Sequence, residues 1–460
     1  MDLFNNILLL TDSYKPSHHK QVPPGTTRIF SFLESRGGRY TTTLFFGLQY
    51  LIKQYLLGQV VTEEKIVEAR EFFAAHFGNT EIFNEAGWRH ILEKHDGRLP
   101  LEIKAVREGT HVPVSNVLVT VVNTDPAVPW LTNYIETLLV QLWYPITVAT
   151  QSFAMKQVIL KYLAETGTPE EVDFKLHDFG FRGSTSVESA GIGGMAHLVN
   201  FKGTDTIPAL LCARRYYGEP MAGFSIPAAE HSTITSWKKE NEVAAYRNML
   251  QQFPNGLVAV VSDSYNIFEA CEKLWGGELR DEVLNRNGVL VIRPDSGDPI
   301  AVLCRVLEIL AERFGYTVNS KGYKVLNPKV RLIQGDGIDH QSMGDILEAL
   351  KQNKWSADNL AFGSGGGLLQ KLNRDTQKFA FKCCAAEVNG EWRDVLKDPV
   401  TDPGKRSKAG CLALVRRDGV YVTVDERDIA PGENLLIPVF RDGVLLEDQS
   451  FADIRERAAA

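Results

Sequence analysis

Between about residues 174 and 365 the chain repeats one pattern: an apolar run, a polar or glycine-rich break and, in most cases, a helical stretch. The runs lie in DFKLHDFG, FKGTD, GFSIPAAEHST, GLVAVVSDSY, GVLVIRPDSGD, KVRLIQGDGID and NLAFGSGGG. Three of them, LVAVVS, VLVIRP and VRLIQG, are dense in Val, Ile and Leu, as strands buried on both faces are. The helical patterns NIFEACEKLW, AVLCRVLEILAERF and GDILEALKQN lie between them. Such alternation predicts a parallel α/β sheet, and the number of units favours a barrel over an open sheet. Chemistry in barrels collects at the C-terminal ends of the strands. Arg182, Asp205, His231, Asp263, Arg293, Asp295, Asp336 and Gly365 are therefore expected to line one mouth.

The stretch from Lys175 to Asp205 is the densest in chemistry. It carries His177, Asp178, Phe179 and Arg182, a glycine-rich segment at 191–194 that reads as a turn, and a polar turn at 202–205. Phe179 offers a ring to stack on a flat ligand, Arg182 a cation for a phosphate or carbonyl oxygen, and Asp205 an acceptor for an N–H. Each also has a plain structural reading. The loops IQGDGID and FGSGGGLLQK close consecutive units and are similar to paired glycine loops that hold a phosphate through backbone N–H groups; two tight turns are the alternative. Arg293 and Asp295 on one turn suit a diphosphate and its Mg²⁺, or a salt-bridged turn. His231 is a competent nucleophile or proton carrier that Asp263 could orient, or a satisfied polar residue near a helix cap. Lys397, Lys405, Arg406 and Lys408 form a basic loop that reads as a solvated face unless it hangs over an anion.

Outside the repeated units the texture differs. Residues 15–19 sit in a polar, loop-like stretch, RIFSFLES reads as a strand, and residues 46–77 read as helical, with Thr62 as an N-cap. LPLEIKAVREGTHVPVSNVLVTVVNTD alternates like short strands. An apolar helix-like run from 132 to 163 is expected to break at Pro145, and residues 379–426 read as an antiparallel meander with Asn-Gly and Asp-Gly turns. The expected division is an α+β region over 1–145, the barrel over 146–375, and a β-rich region over 376–460 that packs with the first. A net charge of −7 argues against a nucleic-acid or anionic-membrane partner. The N-terminus lacks the pattern of a signal peptide or a membrane span, and six scattered cysteines read as reduced thiols, so a cytoplasmic location is expected.

Taken as a set, TDSYK at 11–15, HDFGFRG at 177–183, AGIGG at 190–194, NFKGTD at 200–205, PAAEHST at 227–233, VVSDSY at 260–265, IRPDSG at 292–297, IQGDG at 333–337, FGSGGGLLQK at 362–371 and KDPVTDPGKRSK at 397–408 resemble, in collinear order, the nicotinamide phosphoribosyltransferase family. The resemblance implies a type II phosphoribosyltransferase-like α/β barrel with a flanking α+β subdomain formed by both chain ends. It further implies transfer of a phosphoribosyl group from phosphoribosyl diphosphate (PRPP) to nicotinamide for NAD salvage, with Mg²⁺, ATP as co-substrate, and a homodimer with shared active sites.

By the same resemblance, Phe179 and Tyr14 of a second copy sandwich the pyridine ring, Arg182 approaches the amide oxygen, and Asp205 accepts from the amide and repels a carboxylate. His231 is the residue phosphorylated by ATP, oriented by Asp263, while Arg293, Asp295 and Mg²⁺ surround the departing diphosphate. Mg²⁺ is reached through the diphosphate, its direct ligands unassigned. Gly335, Asp336, Gly365, Gly366 and Arg374 hold the ribose 5′-phosphate, with Arg36, Lys382, Lys397 and Lys405 as further cations. Ala259 departs from the pattern: a hydroxyl residue is expected there, lining the tunnel by which the ring enters. Three rival readings are a nicotinate-specific enzyme, a non-catalytic binding protein on the same fold, and an unrelated barrel glycosidase using Asp263 and Asp295.

Overall fold

The computed structural model describes residues 4–401 and 407–460. It resolves into two compact units, one drawn from 1–150, 215–219 and 372–460, the other from 151–214 and 220–371.

The first unit is built on a seven-stranded antiparallel sheet. Its order is Glu391–Asp394, Phe379–Val388, Thr26–Ser35, Val117–Asn123, Leu101–Ala105, Ile437–Arg441, Val444–Leu445, so strands from both chain ends interleave. From Ile29 to Ser35 every residue is buried, as expected for a central strand covered on both faces. The helix Glu63–Phe77 starts at Thr62, whose hydroxyl accepts from the Lys65 N–H, and stops at Gly78 with φ +62°.

Three expectations need correction here. Pro145 does not break a helix: it sits in the first turn of Trp143–Thr166, where its missing N–H costs nothing, and the breaks fall earlier, at Ile135 and Gln141. The C-terminal strands are not one meander. The hairpin at Asn389-Gly390 forms one edge of the seven-stranded sheet, whereas the hairpin at Asp418-Gly419, Leu412–Arg417 with Val420–Asp425, is a separate two-stranded sheet. The polar stretch at 15–20 is a short 3₁₀ helix, and Lys15 is buried against Glu136 at 2.6 Å.

The second unit is the barrel. Six parallel strands run in the order Gly203–Thr204, Leu176–Asp178, Leu360–Ser364, Val330–Gln334, Asn287–Arg293, Asn255–Val261. The extended segment 224–228 spans the gap between the two edges. Phe224 bridges Gly203 and Ala228 bridges Ala259, both in parallel, which closes a ring of seven. Ala259, Val291 and Ile333 form the inner core of the ring, with Phe179, Ile226 and Ala361 packed against them. Helices cover the outside. Pro299–Phe314 is capped by Asp298, which accepts from Ala301 N–H at 2.8 Å, and presents Leu303, Val306, Leu307 and Leu310 inward. NIFEACEKLW departs from an ordinary α-helix: after one turn it widens into a π-helix over Ala270–Glu278. The glycine run 191–194 is likewise not a turn but the middle of the helix Val187–His197. Its glycines permit close packing, since a Cβ at Gly194 would lie 2.7 Å from both Ala209 Cβ and Asp178 Oδ2.

One buried acid organises the first unit. Glu108 is 1% exposed and accepts from Gln49 N–H at 2.7 Å, Gly47 N–H at 3.1 Å and the Tyr217 hydroxyl at 2.8 Å. Burial pushes its carboxyl up while these donors pull it back. Glu108→Ala leaves three buried donors without an acceptor and is expected to cost on the order of 3 kcal/mol of unfolding free energy. Urea denaturation should show a lower midpoint at unchanged slope, and an unshifted midpoint would refute the assignment.

Candidate active site

Because the six strands and the bridged segment 224–228 run the same way, their C-terminal ends deliver side chains to one mouth. A cavity of about 590 Å³ opens there, lined by Phe179, Arg182, Asp205, Arg293, Asp295, Gly335, Asp336, Gly365, Gly366 and Lys371 among others. A second cavity of about 450 Å³ lies inside the barrel and shares Phe179, Asp205 and Arg293 with the first. Those three residues form the partition between a polar mouth and an apolar chamber.

Phe179 is placed by the absence of a side chain. Its N–H donates to Ser364 O at 3.0 Å, and its ring lies over Gly363, where a Cβ would sit 2.0 Å from Cε2. The Arg293 guanidinium stands 5.6 Å from the same ring centroid and donates to Asp295 Oδ1 through Nη2 at 2.8 Å and Nε at 3.1 Å. Asp205 is held by two contacts: its N–H donates to Asp178 O at 2.9 Å, and the Ser225 hydroxyl donates to its Oδ1 at 2.5 Å. Its carboxylate therefore faces the cavities in a fixed orientation.

His231 opens a short helix, and its Nε2 lies 2.9 Å from Asp263 Oδ1. The other oxygen of Asp263 accepts from Asp295 N–H at 3.0 Å and from the Ser296 hydroxyl at 2.5 Å. Burial works against the charge on Asp263, but the bonds from Ser296, His231 and Asp295 outweigh it and hold the carboxyl below its ordinary range. The Asp263 side chain is 3% exposed, whereas that of His231 is 47% exposed. An oriented imidazole backed by a fixed anion thus faces outward.

The two glycine loops pack on each other. Ser364 Oγ donates to Ile338 O at 2.7 Å, and a Cβ on Gly367 would fall 2.4 Å from that same carbonyl. Side-chain-free backbone is the outcome at Gly335 and Gly337 and at 365–367, which suits an anion bound by N–H groups.

Asp178 was read from the sequence only as part of a dense stretch. It is buried, and burial pushes its carboxyl up to about 6 even though Gly180 N–H and the Thr206 hydroxyl oppose the shift; the charge of Asp205 adds to it. Next to it, burial lowers the His177 imidazole against the pull of Asp205 and the Phe174 carbonyl. As single residues Ser225, Ser296, Gly363 and Lys371 escape sequence reasoning, although Ser225 lies within GFSIPAAEHST, Ser296 within IRPDSG, and Gly363 and Lys371 within FGSGGGLLQK. Nothing in the spacing marks Gly363 or Ser225, whose roles exist only once strands are adjacent.

The structure gathers Phe179, Arg182, Asp205, Arg293, Asp295, Gly335, Asp336, Gly365 and Gly366 around one cavity, with Asp263 and His231 joined through Asp295 and Ser296. Arg374 is not among them. It belongs to the first unit, in the short helix Arg374–Thr376, 3.8 Å from Asp375. Tyr14, Arg36, Lys382 and Lys397 also belong to the first unit. There burial lowers the Lys382 ammonium; Glu136 opposes the shift, and the charges of Arg36, Lys397 and Lys15 add to it, so these cations share one neighbourhood. Arg36 and Lys408 both bond to Glu34. Lys405 and Arg406 lie outside the described residues. Ala259 lines the inner chamber. Among the described residues no helix is long and apolar enough to cross a membrane.

A parallel barrel with glycine loops, an Arg–Asp turn and an oriented histidine at one mouth defines a type II phosphoribosyltransferase-like fold. Solved structures agree: nicotinate-nucleotide pyrophosphorylase from Pyrococcus furiosus matches with a TM-score of 0.63 at 14% identity, covering 100% of this chain and 96% of that one. Human nicotinic acid phosphoribosyltransferase matches at 0.58 and 18%, covering 98% and 93%. Residues 174–444 match the nicotinate phosphoribosyltransferase (NAPRTase) family, and residues 6–103 match the nicotinamide phosphoribosyltransferase N-terminal domain. The nicotinamide phosphoribosyltransferase of Xanthomonas campestris pv. campestris is 52% identical over 100% of this chain and 99% of its own length, and that of Acinetobacter baylyi 34% over 99% and 97%. The chain belongs to the nicotinate phosphoribosyltransferase family.

The Asp178 shift fixes a pH dependence. With a carboxyl at about 6 against an ordinary 3.8, the folded state binds more protons than the unfolded one between those values, so stability present at low pH is lost as pH rises through that window. Asp178→Asn keeps an oxygen for the Gly180 N–H and cannot ionise. It should therefore gain about 1–3 kcal/mol over the parent on going from about pH 4 to pH 7. Denaturant melts at both pH values test this; a parent–variant difference independent of pH would exclude the ionisation.

Proposed function

We propose that this chain transfers the 5-phosphoribosyl group from PRPP to nicotinamide, forming nicotinamide mononucleotide and pyrophosphate in NAD salvage. The observation that carries the reading is the position of Asp205: a fixed carboxylate beside the Phe179 ring, on a wall shared with the anion-binding mouth. Identity to full-length relatives named nicotinamide phosphoribosyltransferase supports it. In the proposed mechanism the pyridine ring stacks on Phe179, the amide N–H₂ donates to Asp205, and Arg182 meets the amide oxygen. A nicotinate carboxylate in that place would face Asp205 charge against charge. The glycine loops and Lys371 receive the 5′-phosphate, and Arg293 stabilises the diphosphate as the glycosidic C–O bond breaks and the ring nitrogen bonds to the anomeric carbon.

Besides Asp205, the cavity is lined by Asp295 and Asp336, an oxygen donor set that suits a hard cation shared with a diphosphate. Mg²⁺ so held would neutralise developing charge on the leaving group. ATP enters the proposal through His231. With Nε2–H donated to Asp263, Nδ1 carries the lone pair that attacks the γ-phosphorus as the bond to ADP breaks, and Asp263 balances the imidazolium charge. A homodimer would supply Tyr14, Arg36, Lys382 and Lys397 from a second copy; for the three cations the role is supported by their mutual charge interactions within the first unit.

Mononucleotide formation is measured with PRPP and Mg²⁺ plus nicotinamide or nicotinate, each with and without ATP. Product from nicotinamide, raised by ATP, is expected; product from nicotinate alone would overturn the substrate assignment. Asp205→Asn should erode the preference for nicotinamide by about tenfold or more, and unchanged selectivity would remove its role. His231→Ala should lose the ATP effect while retaining slow transfer; retained stimulation would exclude a phosphohistidine at this position.

A further inference from the structure

The geometry points to a second, separate ligand site in the first unit: a divalent transition-metal site, of the kind zinc occupies, formed by His90, His95 and Asp125. The two histidines lie on the last turns of the helix Glu85–His95, and Asp125 follows the strand Val117–Asn123. His90 Nε2 is 2.7 Å and His95 Nε2 is 2.6 Å from the same atom, Asp125 Oδ2. The three donor atoms fall within 4.8 Å of one another, the only such His/Cys/Asp/Glu trio among the described residues.

Several features separate this cluster from a chance surface contact. Two imidazoles five residues apart turn the same ring nitrogen to one point, although that spacing places them on different faces of the helix. Asp125 is braced. Its Oδ1 accepts from Ala127 N–H at 2.8 Å and its backbone carbonyl from Asn123 Nδ2 at 2.8 Å, leaving Oδ2 as the oxygen presented to the histidines. Outer contacts of this sort orient the ligands of a metal centre. The helix is fixed by buried Trp88 and Ile91, with Trp88 packed edge-on against Trp130 and Tyr134.

The charge is also suitable. A carboxylate set between two imidazoles brings the negative charge that favours a divalent ion over a neutral ligand set. Two imidazole nitrogens and one carboxylate oxygen match zinc and its neighbours in the transition series, and poorly match magnesium or calcium, which prefer oxygen. Side-chain exposures of 32%, 26% and 16% leave a path for the ion and room for water at a fourth position. The two separations from the imidazoles to Asp125 Oδ2 are hydrogen-bond lengths. A tetrahedral ion asks for donors about 3.3 Å apart, so the rings would withdraw by about half an ångström as their protons shift to Nδ1. Bound there, the ion would staple the helix end to the segment after the strand.

The test uses the full-length protein stripped with chelator. Calorimetric titration with Zn²⁺ should show one ion per chain, and the melting midpoint should rise with Zn²⁺. Co²⁺ substitution should give visible d–d bands without thiolate charge-transfer absorption, which separates the site from the cysteines. The double variant His90→Gln, His95→Gln retains amide donors for Asp125 and should lose both the ion and the zinc-dependent rise in melting. Asp125→Asn, as a second variant, should weaken binding at least tenfold. No stoichiometric ion in the parent, undiminished binding in both variants, or a thiolate-type Co²⁺ spectrum would each overturn the proposal.

Discussion

One carboxylate holds the mouth of the barrel together. Asp263 stands just past the end of its strand and binds outward to His231 and sideways to the backbone of Asp295 and the hydroxyl of Ser296. Three neighbouring strand ends are thereby fixed to one anion. The direction of His231, the turn that carries Arg293 and Asp295, and the ionised state of Asp263 itself all follow from this junction. A barrel supplies parallel strand ends, but it does not by itself lock their loops; here a single side chain does so with both of its oxygens.

The barrel was legible because strands buried on both faces are apolar at nearly every position, and the residues that end them are polar or glycine. Seven apolar runs became the seven segments of the ring, including GFSIPAAEHST, which joins only through single bridges at Phe224 and Ala228. Failures have local causes. The glycines at 191–194 signalled a turn, yet Gly194 is required for helix packing against Ala209 and Asp178. Pro145 signalled a break, yet in a first turn it has no hydrogen bond to lose. The C-terminal hairpins looked contiguous because turn chemistry is local, whereas whether a hairpin joins the larger sheet is decided by distant strands.

The candidate site divides in the same way. Residues at strand ends could be anticipated one by one. Those whose role depends on a neighbour on the adjacent segment of the ring, such as Gly363 beneath Phe179 or Ser225 beside Asp205, could not. His90, His95 and Asp125 fall in this second class too: the sequence separates them by up to 35 positions, and only the sheet of the first unit brings the aspartate to the end of the helix.

Gly363 and Phe179 leave each other little latitude to vary. With the ring in place, position 363 accepts no side chain, and the ring keeps its place because position 363 offers none. A lineage that first exchanged Phe179 for something smaller would free position 363 to acquire a β-carbon, and from then on the return of an aromatic ring would be blocked. Such a pair works as a ratchet: the order of substitutions, rather than the merit of either residue alone, would decide which descendants of this barrel could keep a flat ring on that wall.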